Sequence, residues 1–448
     1  MERVITGWRR YIMVQPPMMV LILAQSMSNL LVYRTCSITL GINKTECLLL
    51  HENSSCSEAL KIDAQVQPKA SLILMSKSFI ESILPAFLSL FLGPWSDING
   101  RKPIMLSGYI GISLTYFILS FMTIWDISPW FLLIAFIPSA CLGGFCIILL
   151  GTICYISDMS DEDERAWQLS WMEALISVGI IIGLFISPVI FESYGYTAVF
   201  GCTTVCCILA VLYIYFLVPE TTYNRNSVSF RSLFDVNLVK DLIGTCTKKR
   251  DGFNRHIVWC CITCMILLVI ILEGEMTIGF LFASARLGWN VNTYSIYVAI
   301  NITLSIFGLM FGVKVLTTYG GIVLDTIIRA VFTWKYWHMY VSGVVGMFSG
   351  VASPMIRAIL SKSVTPEDTG KVFSLTVSIE TLTPFAAASL YSMVYSHFMP
   401  PMYPLPIWLV SVTICVIVIL LLINMRIQNV KYNSERYMPL TQDSEPLS

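Results

Sequence analysis

The sequence predicts an all-α polytopic membrane protein, and two observations support this: its composition and its long apolar runs. Of 448 residues, 56% are hydrophobic and 12% are charged, whereas an ordinary soluble domain has roughly 25% charged residues. Apolar runs of about 20 residues, enough to cross roughly 30 Å of hydrocarbon as a helix, recur along the chain. The formal net charge is +0 and the basic residues lie in many short loops, so a nucleic-acid partner is not expected.

The first half of the chain carries six predicted spans. It opens with an arginine-flanked apolar run that continues without a small-residue cleavage site, which indicates a retained helix and not a signal peptide. The predicted spans cover residues 14–34, 70–92, 103–125, 130–156, 168–190 and 196–218.

The second half carries five clear spans and one short apolar segment. The clear spans cover residues 256–283, 294–318, 336–361, 371–395 and 405–425. The segment 319–335 contains Asp325 and Arg329 and is apolar over about fifteen residues, which as a helix is only roughly 22 Å long. We therefore expect a ninth span that is short or incomplete, accommodated by tilt or by local thinning of the bilayer.

A polar, basic segment divides the chain into two bundles of six spans, provided that the short segment counts. Two such halves with weak internal similarity are typical of transporters built from repeats. The basic residues fall mostly on one side of the membrane, which places both termini in the cytoplasm. The predicted units are an N-terminal bundle 1–218 with an outer loop 35–69, a linker 219–255, a C-terminal bundle 256–428 and a disordered cytoplasmic tail 429–448.

The outer loop has the composition of an extracellular or lumenal segment. It contains two glycosylation sequons and three cysteines, and an oxidising compartment permits one disulfide among them, with the pairing open. The sequons begin at Asn43 and Asn53, and the cysteines are Cys36, Cys47 and Cys56.

The segment "GPWSDINGRK", residues 93–102, resembles the signature loop between the second and third helices of the major facilitator superfamily. A carboxylate at the membrane edge can dock against a helix N-terminus or a basic side chain of the other bundle. The resemblance implies that the partner in such a gating contact lies near the start of the eleventh helix, around Gly370. An ordinary polar turn with positive-inside anchors is the alternative. The matching residues are Gly93, Asp97, Gly100, Arg101 and Lys102.

Three further segments narrow the resemblance to solute carrier family 46, which includes a proton-coupled folate transporter. They are "SDMSDEDERAWQLSWMEAL" (157–175), "PMIRAILSK" (354–362) and "GKVFSLTVSIET" (370–381), and "VPET" (218–221) is similar to the end of the superfamily's sixth helix. The resemblance implies a major facilitator fold of two six-helix bundles. Gly144 stands where the family has a fourth-helix aspartate.

The resemblance also implies roles for two charged residues inside spans. Glu173 matches a carboxylate tied to proton coupling, and a buried carboxylate can bind a proton in one state and release it in the other. Arg357 matches an arginine linked to substrate or proton handling, and a guanidinium suits a carboxylate substrate. The alternatives are an interfacial glutamate and a positive-inside anchor beside Lys362.

Two more pairs of charged residues lie within spans, where an ionisable group is costly unless it is paired or faces a water-filled cavity. Lys77 and Glu81 are four residues apart on one helix face, where they contact a substrate or neutralise each other. Glu273 and Glu275 flank Gly274 and are further proton-coupling candidates. This pattern predicts a broken, cavity-lining stretch, with an interfacial cluster as the alternative.

Together these features predict a secondary active transporter that moves a small organic anion, folate-like or peptide-like, by alternating access coupled to protons. The alternative is a non-transporting membrane protein with a binding or trafficking role, because the ninth span is short. No enzymatic activity, cofactor or metal site is expected. The protein would lie in the plasma membrane or an endolysosomal membrane, and "YMPL" at Tyr437 matches a signal for a clathrin adaptor.

Overall fold

The computed structural model describes most of the predicted membrane spans. Its described residues are 57–161, 164–221, 255–287, 291–312, 336–364, 368–398 and 405–437, with the single positions 14, 17, 237, 240, 242, 244 and 289. Within them, 10 helical segments are long and apolar enough to cross a membrane. Most of the first predicted span, the short ninth span, the two sequons and the three outer-loop cysteines lie outside the described residues.

The first two helices include the signature motif. Helix α1 covers Ser57–Asn99 and helix α2 covers Lys102–Met122. The prediction of a ten-residue loop is therefore wrong, because α1 continues through most of it and only Gly100 and Arg101 make the turn. Two features explain the difference: Trp95 is 2% exposed, so this turn of α1 is packed, and Gly100 has a φ of 104° that favours glycine.

The predicted fourth span is interrupted near its middle. Its pieces are α3 (Pro129–Leu132), a 3₁₀ turn (Leu133–Phe136), α4 (Ile137–Cys141) and α5 (Gly144–Met159). Gly143 and Gly144 have φ values of 83° and 46°, and a Cβ at Gly144 would also overlap the Ser139 hydroxyl. Glycine at position 144 therefore meets a backbone requirement that an aspartate would satisfy only with strain.

The predicted fifth and sixth spans join in one helix, α6 (Arg165–Leu217). The helix is interrupted only at Gly195, whose φ of 74° and ψ of −177° are not helical. A glycine bend thus replaces the loop that was expected between residues 190 and 196.

The C-terminal half contains α7 (Arg255–Leu287), α8 (Val291–Gly312), α9 (Tyr336–Val345), a 3₁₀ turn (Gly346–Val351), α10 (Ala352–Lys362), α11 (Thr369–Phe398) and α12 (Leu405–Tyr437).

Two expectations for this half are wrong. Helix α7 continues through Gly274 without a break. The glycine there serves packing, because a Cβ at this position would overlap the Tyr391 ring. The tail predicted to be disordered from residue 429 is helical as far as Tyr437, because the last span, α12, continues into it and adding residues to an existing helix is easier than starting a new one. The adaptor signal at Tyr437 stays a prediction.

The two halves share one hydrophobic core. Tyr109 and Ile153 from the N-terminal half belong to the same buried cluster as Val258 and Phe373 from the C-terminal half. Helix α1 packs against α11, and α6 packs against α8 and α10. These pairs carry the contact between the halves and position the charged residues described next.

Candidate functional site

The signature motif contacts the opposite half through Asp97. Its Oδ1 accepts a hydrogen bond from the backbone N–H of Gly370 at 3.0 Å. Gly370 lies in the first turn of α11, where backbone N–H groups lack intrahelical partners and favour a carboxylate. The contact predicted near Gly370 is present, and its role in gating remains a prediction.

Arg101 holds the carboxylates of this end of the molecule together. Its side chain is 2% exposed, and its guanidinium lies 2.5 Å from Asp97 Oδ1 and 2.9 Å from Asp158 Oδ2. It also donates to Ser96 Oγ at 2.6 Å. A buried arginine is tolerated when its charge and its N–H groups are matched in this way.

Glu220, from the "VPET" segment, caps the turn of the signature motif. Its carboxylate accepts the backbone N–H groups of Arg101 at 2.7 Å, Lys102 at 3.2 Å and Thr221 at 3.0 Å. A Cβ at Gly100 would overlap this carboxyl group. Glycine is therefore favoured here for two reasons, the space that Glu220 occupies and the positive φ. We call Asp97, Arg101, Asp158 and Glu220 the gate cluster.

Small residues continue the contact between α1 and α11 away from the gate cluster. A Cβ at Gly93 would overlap the Ser374 side chain, and the Ser89 and Ser378 hydroxyls are in hydrogen-bond contact. On the next turn Thr381 donates to the Cys146 thiol of α5 at 3.2 Å. The two halves therefore approach closely over about three turns of α11.

Two predicted site residues meet between the halves. The hydroxyl of Ser353 on α10 donates to Glu173 Oε1 of α6 at 2.8 Å and accepts from Arg357 Nε at 3.3 Å. Arg357 Nη2 lies 2.9 Å from Glu380 Oε2 of α11, with side-chain exposures of 8% and 7%. We call Glu173, Ser353, Arg357 and Glu380 the central cluster.

Glu380 was not among the predicted site residues. It lies inside the predicted eleventh span, and the rule that ionisable residues inside spans are functional candidates would have found it. Asp158 was missed for another reason, because it lies in a polar segment at a span end where an acidic residue is unremarkable. Its partner Arg101 is 57 residues away in sequence.

The other predicted charged residues lie elsewhere. Lys77 and Glu81 form an ion pair at 2.9 Å, and the Lys77 ammonium lies 5.2 Å from the centre of the Phe136 ring. The pair therefore packs within the N-terminal half, which is the geometry of the neutralising alternative. Whether it contacts a substrate remains a prediction.

Glu273 and Glu275 flank Gly274 on α7, and the Tyr391 ring of α11 fills the space beside Gly274. The two acids therefore lie near Tyr391. Tyr391 is about 16 Å along α11 from Glu380, at 1.5 Å per residue. These two acids are thus remote from the central cluster. No group of three or more His, Cys, Asp or Glu side chains that could hold a metal ion occurs in the described part of the chain.

Comparison with known proteins identifies the family. A model described as Major Facilitator Superfamily matches residues 70–332. The chain belongs to this superfamily. Membership places it among secondary transporters of organic solutes and not among enzymes.

Curated relatives include two proteins of solute carrier family 46. A Drosophila melanogaster protein described as a probable peptidoglycan muropeptide transporter SLC46 is 25% identical over 414 residues, which are 86% of this chain and 80% of that protein. The proton-coupled folate transporter of Bos taurus is 23% identical over 319 residues, 69% of each chain. The predicted family resemblance is therefore confirmed at low identity.

Solved structures agree on the fold. The human organic anion transporter MFSD10 (TETRAN) has a TM-score of 0.63 at 14% identity and covers 93% of this chain and 99% of its own. The proton:xylose symporter XylE has a TM-score of 0.62 at 13% identity, with 92% and 95% covered. The predicted all-α major facilitator architecture is confirmed.

Proposed function

We propose that this superfamily member carries a small organic anion across the membrane by alternating access, coupled to protons, with the central cluster as the solute and proton site. The observation that carries the proposal is a buried arginine, Arg357, linked to carboxylates from both halves of the molecule. A charged group at such depth is costly unless it is paired or serves a pathway. A site that joins the halves is also where a solute would change the contact between them.

Alternating access is supported by the uneven contact between the halves. Gly93 lies on the face of α1 that packs against α11. Met75 precedes Gly93 by five helical turns and so lies on the same face, but Met75 is 62% exposed. The halves are therefore in contact at the Gly93 end of this face and open at the Met75 end. In the proposed cycle this structure is closed at the gate-cluster end, which the basic residues predict to be cytoplasmic. The solute enters from the other end.

The proposed solute carries at least one carboxylate. A guanidinium binds a carboxylate through two parallel charge-assisted hydrogen bonds, a geometry that lysine does not provide. Folates and muropeptides, which are named for the two family 46 relatives, both contain carboxylates. MFSD10, which shares the fold, is itself described as an organic anion transporter.

The proposed proton site is the central cluster, and Glu173 connects the protonation of this cluster to the contact between the halves. Glu173 is the member contributed by the N-terminal half, and its carboxylate accepts the Ser353 hydroxyl that also contacts Arg357. Loss or gain of a proton at Glu173 therefore changes a hydrogen bond that crosses between the halves. A rocking motion of the halves would in turn change the surroundings of this carboxylate, which is the requirement for coupling.

Uptake by proteoliposomes tests this proposal. Purified full-length protein is reconstituted, an inward proton gradient is imposed, and the uptake of labelled folic acid, muramyl dipeptide and a neutral sugar is compared. We expect accumulation of at least one carboxylated probe, its loss when a protonophore dissipates the gradient, and no accumulation of the sugar. Well-folded protein that accumulates none of a broad panel of carboxylated probes would contradict the proposal.

A further inference from the structure

We propose that Glu380 is a displaceable internal anion: a solute carboxylate takes its place on Arg357, and Glu380 binds a proton as it is released. This inference rests on the proposed function and deepens it, because it identifies which acid exchanges with the solute. It also explains in structural terms why anion entry would require a proton.

The first step of the argument is the geometry at Arg357. Its Nη2 contacts Glu380 Oε2 at 2.9 Å and its Nε contacts the Ser353 hydroxyl at 3.3 Å. A carboxylate that binds a guanidinium in bidentate fashion needs two of its adjacent N–H groups. The contacts with Glu380 and Ser353 occupy the edge of the guanidinium formed by Nη2 and Nε. A solute carboxylate that binds this edge must therefore take the position of Glu380, of the Ser353 hydroxyl, or of both.

The second step is that Glu380 has few contacts other than the one with Arg357. Its Oε1 is buried and has no hydrogen-bond partner among the described residues. The other oxygen depends on the single contact with Arg357. Glu173 differs, because its Oε1 accepts the Ser353 hydroxyl and is not a direct ligand of the guanidinium in this arrangement. Glu380 is thus the carboxylate that a solute would displace.

The third step is the charge balance of the site. With both acids ionised, the central cluster holds one cation and two anions and has a charge of about −1. A bound monoanion would bring this to about −2 in a buried site, which is strongly unfavourable. One proton from the aqueous side on Glu380 restores the original charge.

The exchange is balanced without any further reactant. The hydrogen bond from Arg357 to Glu380 breaks, a hydrogen bond from Arg357 to the solute carboxylate forms, and one proton adds to a carboxylate oxygen of Glu380. The charged and titratable groups that face Glu380 are Arg357 on α10, Glu173 on α6 and the Cys146 thiol on α5. Of these groups, only Arg357 carries a positive charge that could keep Glu380 ionised.

The test counts the protons taken up with each bound anion. Purified full-length protein in weakly buffered detergent solution is titrated with the carboxylated probe that the uptake panel identifies, and a pH dye reports proton uptake. We expect about one proton per anion in the wild type and an apparent Kd that rises about tenfold per pH unit while Glu380 is ionised in the free protein.

The isosteric variant Glu380→Gln should bind the anion with almost no proton uptake and with a Kd that is nearly independent of pH. In proteoliposomes it should retain anion exchange at equilibrium and lose accumulation driven by the proton gradient. Thr383→Ala, on the same helix, is the matched control because, among the described residues, the Thr383 hydroxyl donates to its own helix at the Ile379 carbonyl. It should behave as the wild type does.

Two results would overturn the inference. The first is that Glu380→Gln still takes up one proton per anion, and loss of that uptake in Glu173→Gln would then assign the exchange to Glu173. The second is that a folded Glu380→Gln protein fails to bind the anion, which would make Glu380 a ligand of the solute. In each case the wild type still transports, whereas a wild type that binds no carboxylated probe would overturn the proposed function itself.

Discussion

The gate cluster and the central cluster both contact α11, about 15 Å apart along it, and they differ in what their carboxylates bind. In the gate cluster, Asp97 and Asp158 pair with the Arg101 side chain. Asp97 also accepts the backbone N–H of Gly370, and Glu220 accepts those of Arg101 and Lys102. In the central cluster, the contacts described for Glu173 and Glu380 go to side chains, those of Ser353 and Arg357.

This difference separates two kinds of response. A hydrogen bond to backbone at a helix N-terminus breaks when that helix moves, whatever the chemistry nearby. A bond between side chains can be exchanged for a bond to a solute while the helices stay in place. The gate cluster is therefore suited to report helix position, and the central cluster is suited to bind a ligand and a proton.

The largest effect is expected for Arg357→Ala. The substitution removes the positive charge between two acids and the proposed ligand of the solute, so binding of the carboxylated probe should fall by at least about a hundredfold. Calorimetry on purified protein measures it. Lys362→Ala is the control, since Lys362 is an exposed residue at the end of the same helix. Equal losses of probe binding in both variants would favour the alternative that Arg357 is a positive-inside anchor and not a ligand of the solute.

A smaller loss is expected for Gly93→Ala at the contact between the halves. The added methyl group would overlap Ser374 and the Gly370 carbonyl, so the gate should close poorly. Such overpacking costs about 1–3 kcal/mol, and we therefore expect uptake to fall about tenfold. Gly201→Ala is the matched control, because its nearest neighbour would lie 3.6 Å away. Uptake at the wild-type rate by Gly93→Ala would show that close approach at this point is not needed.

Asp97→Ala removes the carboxylate that joins the gate cluster to α11. The contact with Gly370 is lost and Arg101 keeps Asp158 as its partner, so we expect uptake to fall about fivefold to tenfold with unchanged probe binding. Opening of this end should also increase maleimide labelling of Cys146, which is 4% exposed. Mass spectrometry measures the labelling. Asn99→Ala is the control, and unchanged labelling in Asp97→Ala would separate Asp97 from the gate.

The smallest effect is expected for Ser353→Ala. Its hydroxyl links Glu173 to Arg357, and one such hydrogen bond contributes about 1 kcal/mol, so probe binding should weaken about fivefold. Ser363→Ala is the control, because the Ser363 hydroxyl bonds within its own helix end. A loss as large as that of Arg357→Ala would mean that Ser353 contacts the solute itself.

The gate cluster could be predicted in part from sequence because its motif is contiguous. The spacing of Asp97, Gly100 and Arg101 is local, and a docking partner near Gly370 followed from the resemblance. Asp158 and Glu220 were not assigned to this cluster because only folding brings them to Arg101.

The central cluster was predicted less completely. Glu173 and Arg357 were proposed one at a time, with no physical reason to join them, since the bridge through Ser353 depends on the packing of α6 against α10. A serine in an apolar span carries no distinctive pattern. The glycines at positions 143, 195 and 274 also show what sequence alone does not reveal. Gly143 and Gly195 interrupt helices, whereas Gly274 makes room for Tyr391 in a continuous helix.

The central claim is that a solute anion and a proton enter through the same cluster, and flux measured in one vesicle tests it most directly. Proteoliposomes with a pH dye inside receive an inward gradient of the carboxylated probe at equal internal and external pH. We predict that anion entry acidifies the lumen in the wild type and that Arg357→Ala abolishes both fluxes together. Anion entry without acidification would contradict the claim.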